Sequence, residues 1–216
     1  MRNLPKLVSL TTVGNSLSFN RPHSITLEDM PSLTTVSLPG AFENMNDNHI
    51  NNIGELIHHP AFSSYLHMTV RSVDELNALT TIVESITVKN NACNDASFTV
   101  LNLTRFVNLI VLEVGDNSFR NVNEVYLTGL SKLERVVIGV NCFMGGNNPN
   151  SVLRVIDTNS LKELRIGRNS FKEYPVFEIE NVPSLEVIEI GEYNKESNNF
   201  GGTSELVLNS ESDYMK

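Results

Sequence analysis

What most narrows the folds open to this chain is an eleven-residue phrase that recurs with its apolar letters in fixed places. It reads LIVLEVGDNSF from Leu109, LERVVIGVNCF from Leu133 and LKELRIGRNSF from Leu161. Aliphatic residues hold the first, fourth and sixth places, asparagine the ninth and phenylalanine the eleventh: Leu109, Leu112, Val114, Asn117, Phe119; Leu133, Val136, Ile138, Asn141, Phe143; Leu161, Leu164, Ile166, Asn169, Phe171. Partial copies flank these three. Val83, Ile86, Val88, Asn91 and Cys93 form one before them, and Leu185, Ile188 and Ile190 one after, with Tyr193 in the asparagine's place. Further upstream, Leu7, Leu10, Asn15 and Leu17 fit with Thr12 at the sixth place, and Leu33, Val36 and Leu38 begin another. First-place residues are separated by 26, 50, 26, 24, 28 and 24 positions, the 50 being close to two periods. Such self-similarity specifies a repeat array, whose units cannot bury an apolar face alone and close their core by stacking.

The phrase also fixes local structure. One residue separates the fourth and sixth places, so both side chains point to the same side of an extended strand. A second alternating pair precedes each first place, namely Leu101 and Leu103, Val125 and Leu127, Leu153 and Val155, Phe177 and Ile179, and predicts a short outer strand. Asn91, Asn117, Asn141 and Asn169 are expected to form a stacked ladder, their amides satisfying backbone groups that turn inward where the strand ends. Phe119, Phe143 and Phe171 plug the floor of each coil. Gly115, Gly139, Gly167 and Gly191, at the seventh place, are expected to permit a backbone bend.

A unit of 24 to 28 residues carrying this phrase resembles the leucine-rich repeat family. Blocks with an IGxNSF-like motif that alternate with irregular spacers are similar to large protist families of that type. The resemblance covers residues 83–208 well and the first 42 in part. It implies an α/β repeat fold that is mostly β: a leucine-rich repeat solenoid with a concave parallel sheet, short outer strands and few or no regular helices. The expected organisation is a partial array over 1–42, an irregular spacer or degenerate repeat over 43–80, and a second array over 81–216, truncated at its C-terminal end. Ser72–Leu79 has the pattern of a short helix leading into the second array, near the alternating Leu66, Met68 and Val70. Neither end carries a polar capping segment, which points to a piece of a longer protein whose ends are open to self-association.

Composition removes several functions. A net charge of -9 argues against nucleic-acid or anionic-membrane binding, which need a basic surface. No run of 18 apolar residues is present for membrane insertion, and the first residues lack the core of a secretion signal. Cys93 and Cys142 stand two units apart at different places of the phrase, so free thiols are expected, which leans toward the cytoplasm. An extracellular site is compatible with a longer chain. His23, His49, His58, His59 and His67 have amides rather than carboxylates or thiols as neighbours and are read as solvated. No nucleophile has a marked histidine and carboxylate partner, so no catalytic, metal or cofactor residue is predicted.

Function is then expected in the letters between the repeat positions. The third, fifth and eighth places tile the concave sheet, which solenoids commonly present to partners. The candidate contact residues are Val111, Glu113, Arg135, Val137, Glu163, Arg165, Arg168, Val187 and Glu189, with Val111, Val137, Val140 and Val187 as its exposed apolar members. The leading expectation is a non-catalytic module that binds another protein. The alternative is a surface or secreted array for adhesion or recognition of protein or glycan. A parallel β-helix carbohydrate-active enzyme ranks below both, since the fifth-place column Thr11, Ser37, Thr87, Glu113, Val137, Arg165, Glu189 stacks no acidic cluster.

Overall fold

The computed structural model describes residues 2–11, 26–37, 49–51, 53–54, 57, 63–145, 148–201 and 203–209. Among the described residues the chain is mostly parallel β with almost no helix, arranged as a β-solenoid of about six turns. It divides into two compact units, one of residues 1–66 with 80–82, the other of 67–79 with 83–216.

In the first unit, β1 (Ser9–Thr11) pairs in parallel with β3 (Thr35–Ser37), and β2 (Thr26–Glu28) with β4 (His49–Asn51). Leu10 lies opposite Val36, so the spacing of 26 between the first two copies of the phrase is also the strand register. Leu27, Met30, Leu33, Val36, Ile53, Ile57, Leu66 and Ile82 form the core, with Leu7, Leu10 and Tyr65 against it. Asn15, Leu17, Leu38, His23, His58 and His59 lie outside the described residues.

The second unit holds two parallel sheets. After α1 (Ser63–Leu66), β5 (His67–Val70) opens the larger one, and α2 (Val73–Asn77) follows. Ser72 caps α2 by accepting from Glu75 N at 3.1 Å, while the Glu75 carboxylate accepts from Arg71 N at 2.7 Å. The chain then alternates between sheets through β6 (Ser85–Val88), β7 (Val100–Asn102), β8 (Val111–Val114), β9 (Glu124–Thr128) and β10 (Arg135–Ile138). It continues through β11 (Val152–Ile156), β12 (Glu163–Ile166), β13 (Val176–Glu180), β14 (Val187–Ile190) and β15 (Glu205–Asn209). The six-stranded sheet runs β14-β12-β10-β8-β6-β5 and the five-stranded sheet β15-β13-β11-β9-β7. Fourth- and sixth-place side chains meet the outer-strand pairs between the sheets. In one turn Leu109, Leu112, Val114, Phe119, Val125 and Leu127 are all at most 4% exposed. Each stabilises by about 1.5–3 kcal/mol as an upper estimate.

The bend after each inner strand revises the sequence reading. The ninth-place asparagines all have left-handed backbones, with φ of 59° at Asn91, 57° at Asn117, 57° at Asn141 and 59° at Asn169. So do the eleventh-place residues, with φ of 55° at Cys93, 55° at Phe119, 54° at Phe143 and 56° at Phe171. Asparagine tolerates this region, whereas phenylalanine enters it at a cost of about 1–2 kcal/mol. Stacking offsets that cost: ring centroids lie 5.3 Å apart between Phe119 and Phe143 and 4.6 Å between Phe143 and Phe171.

The asparagine ladder joins three of the four expected residues, with Asn141 Nδ2 donating to Asn117 Oδ1 at 3.2 Å and Asn169 Nδ2 to Asn141 Oδ1 at 3.1 Å. These amides bond one another, and Asn169 Oδ1 also accepts from the backbone at Asn198 N. Backbone groups are met by neighbouring turns, Asn117 N donating forward to Val140 O at 2.8 Å and Phe119 N backward to Ala92 O at 3.1 Å. The tenth place helps. Ser118 Oγ accepts from Ala92 N at 3.1 Å and donates to Lys89 O at 2.8 Å, and Ser170 Oγ accepts from Cys142 N at 2.9 Å and donates to Gly139 O at 2.6 Å. Cys142 takes the same column, its Sγ 3.2 Å from Gly115 O, whereas Cys93 stands in the eleventh column, and both cysteines are buried and free.

Gly115, Gly139 and Gly167 serve close approach to the preceding turn rather than a bend, whereas Gly191 permits a bend as expected. Gly191 alone of the four has positive φ, at 92°. At Gly139 a Cβ would fall 2.8 Å from Asp116 N and 2.9 Å from Gly115 C, and at Gly167 2.6 Å from Gly139 C. The last turn corrects another expectation. Tyr193 does not replace the asparagine; the bend is displaced along the chain. Asn198 N donates to Asn169 Oδ1 at 3.1 Å, Asn199 Nδ2 reaches Gly167 O at 2.8 Å as the tenth-place serines reach theirs, and Phe200 stacks 5.7 Å from Phe171.

Candidate functional site

The outward face of the six-stranded sheet carries the predicted contact residues, and strand register decides which of them meet. Third-place residues run His67, Ser85, Val111, Arg135, Glu163, Val187 across the sheet, and fifth-place residues Thr69, Thr87, Glu113, Val137, Arg165, Glu189. Charge is not spread evenly along these columns. Toward β5 they hold hydroxyls, an exposed imidazole and a half-buried valine; toward β14 they hold carboxylates and guanidiniums.

The charged part is one connected chain. Arg135 Nη1 lies 2.8 Å from Glu113 Oε1, and its Nε lies 2.8 Å from Glu163 Oε2. Arg165 Nε bonds the other oxygen of Glu163, and its Nη1 lies 2.5 Å from Glu189 Oε2. Hydrogen bonds from Arg165 and then Arg135 hold the Glu163 carboxyl below the usual carboxylate range. The same bond from the other side, chiefly to Glu163, raises Arg135. Five predicted contact residues are thus engaged with one another. Each exposed pair contributes only about 0–1 kcal/mol to stability, but a ligand would have to compete with it.

The remaining candidates divide. Arg168 is half-buried at the eighth place, its Nε 3.6 Å from Glu192 Oε2. That column is largely structural, since Asn90 Oδ1 accepts from Asp116 N at 2.9 Å and Asp116 Oδ1 from Val140 N at 2.7 Å. The valines expected to stand exposed do so only in part: Val111, Val137 and Val140 are half-buried by flanking side chains, and Val187 is exposed.

The structure adds a groove that sequence reasoning did not single out. It has a volume of about 610 Å³ and is lined by Thr87, Glu113 and Val137, three successive fifth-place residues, together with Val88, Lys89, Asn90, Val114 and Gly115 at the strand exits. Of the nine predicted residues it contains Glu113 and Val137. The signal was available in the column itself, where Thr69 and Thr87 precede the first charge. Among the described residues no group of three or more His, Cys, Asp or Glu side chains is arranged to hold a metal ion. Compared with protein-family models, with curated proteins and with solved structures, the chain matches none.

Proposed function

We propose that this chain is a leucine-rich repeat solenoid that acts as a non-catalytic protein-interaction module and takes its partner in the groove from Thr87 to Val137. The groove is the observation that carries the reading. A partner segment seated there would cover the Thr87 hydroxyl and the half-buried Val137 and would meet one ion pair, Glu113 with Arg135, against three on the face toward β14, which lowers its desolvation cost. The groove is open to solvent along the sheet, and its volume of about 610 Å³ would take a few residues of extended peptide. The period of 24 to 28 residues with one inner strand in each supports the family assignment. A non-catalytic role is supported by the state of Glu163, whose carboxyl is held below the usual carboxylate range by hydrogen bonds from Arg165 and Arg135 and so is a poor proton donor.

The test is affinity capture from the source cell with the native chain against Thr87→Arg and Val137→Arg, each of which fills the groove from the solvent side. Partners retained by the native chain should be lost from both variants and kept by Arg165→Ala, which only shortens the ion-pair chain. Equal recovery from all four proteins would refute the groove, and loss only with Arg165→Ala would move the contact to the charged face. Release of the partner by free sugars would support glycan recognition instead.

A further inference from the structure

The chain of ion pairs on the six-stranded sheet ends inside the groove, and its last carboxylate is only half engaged. Glu163 has both oxygens bonded, Oε2 to Arg135 and Oε1 to Arg165. Glu113 has one: Arg135 Nη1 reaches its Oε1 at 2.8 Å, and its Oε2 accepts from no described residue. Arg135 is anchored on the far side, its Nε 2.8 Å from Glu163 Oε2, so it serves Glu113 through a single nitrogen. Three carboxylates, Glu113, Glu163 and Glu189, share the two guanidiniums of Arg135 and Arg165, which leaves the chain of pairs one negative charge in excess. The excess is accessible in the groove, where the Glu113 side chain is 44% exposed and its fifth-place neighbours, Thr87 and Val137, are neutral. Lys89 is the one basic side chain among the lining residues. It stands one strand over and two residues on from Glu113 in the register of β6 and β8, and the two form no ion pair.

We infer that the segment seated in the groove carries an arginine or lysine that bonds Glu113 Oε2, so that the partner is a protein with an exposed basic segment. This rests on the groove being the contact site and adds the charge of its occupant. A cation there extends an alternation the sheet already shows, guanidinium beside carboxylate from one strand to the next. It takes an open oxygen and parts Arg135 from neither Glu113 nor Glu163. A carboxylate in the same place would meet the excess negative charge, and a neutral side chain would cover Glu113 without replacing the water it gives up, so charge at this position selects among partners more than it adds affinity. The net charge of -9 acts in the same direction at longer range, drawing a basic segment toward the surface before contact.

Selection from a displayed library of random short peptides on the 216-residue chain tests this. Recovered sequences should be enriched in arginine or lysine, and replacing that residue by glutamine in a recovered peptide should weaken binding about fivefold, the most that an exposed pair gives. Against Glu113→Gln, which keeps the shape of the side chain and removes its charge, the two peptides should bind alike. Against Glu180→Gln, which removes the same charge from β13 in the other sheet, the fivefold difference should remain. If Glu113→Gln does not fold, the native chain alone decides, since the difference between the two peptides should shrink as salt is raised. Peptides that are lost with Val137→Arg but show no basic preference would overturn the inference and leave the groove standing. A preference that survives Glu113→Gln, disappears with Glu180→Gln or ignores salt would overturn it as well. Peptides that bind the native chain and Val137→Arg alike, or a selection that recovers none, would overturn the groove and the inference together.

Discussion

Phe143 carries a prediction in which packing and backbone geometry pull apart. Its ring is fully buried, stacked on Phe119 with planes 15° apart and on Phe171 with planes 7° apart. Truncation to alanine removes the ring and leaves a cavity, at a cost of about 3–5 kcal/mol. Two stacked neighbours, each worth about 0.5–1.5 kcal/mol beyond buried area, place the cost in the upper part of that range. Residue 143 sits at φ 54°, where alanine keeps the Cβ and its strain and glycine sheds both. Against the usual order, in which glycine is the worse of the two by about 0.5–1 kcal/mol, Phe143→Gly should therefore be at least as stable as Phe143→Ala. Release of about 1–2 kcal/mol of left-handed strain outweighs the extra chain entropy. Urea unfolding followed by circular dichroism gives both comparisons, and for a chain of this size each kcal/mol moves the melting temperature by about 2–4 °C. A Phe143→Ala loss below about 1 kcal/mol would refute the assigned packing. Phe143→Gly clearly less stable than Phe143→Ala would refute the left-handed bend.

Gly139→Ala should lower the melting temperature by forcing adjacent turns apart, a cost of about 1–3 kcal/mol, whereas Gly129→Asn, at φ 70° with open space around it, should cost under about 1 kcal/mol; equal melting temperatures would refute the close-approach argument. Tyr174→Phe strips the hydroxyl that donates to Val122 O at 2.6 Å inside the core, so denaturant unfolding should show a loss of about 1–3 kcal/mol for the buried carbonyl left without a partner. Burial pushes the Cys93 and Cys142 thiols up to about 11, with the Glu75 charge adding to the effect at Cys93. The folded state thus favours the protonated thiol, a contribution fully present below the unfolded thiol pKa of about 8.5 and lost as pH rises toward about 11. Cys93→Ala/Cys142→Ala should flatten the fall in unfolding midpoint over that window, and parallel curves for the two proteins would count against buried thiols.

The repeat was legible because its determinants are local and periodic. Leu112 with Val114 and Val125 with Leu127 give both strands of a turn, and Phe119, Phe143 and Phe171 give its floor, since alternation and period alone decide which side of a strand is buried. The bend was less legible. An asparagine at the ninth place is compatible with satisfying the backbone or with a left-handed φ, and only the backbone path of Phe143, a residue that rarely adopts that region, separates the two. Ser118, Cys142 and Ser170 share a column that reads as small residues in the phrase, and the sequence does not say that they bridge adjacent turns. Tyr193 misled because alignment by count cannot see an insertion within the bend. On the outward face, the residue types were visible but not their partners: that Glu163 is held by both Arg135 and Arg165 depends on strand register and rotamer together.

Strand order in both sheets of the second unit follows chain order, each strand pairing only with strands of the turns next to its own. Tyr174, which bonds a carbonyl 52 residues back, reaches two turns and no further. During synthesis, then, no segment has to wait for a distant partner. Within the second unit the turn of β5 and α2 is made before the others, and each new turn docks on the one just completed. A ribosome paused within this region would present a shorter solenoid with native pairing rather than a chain held open for its missing half.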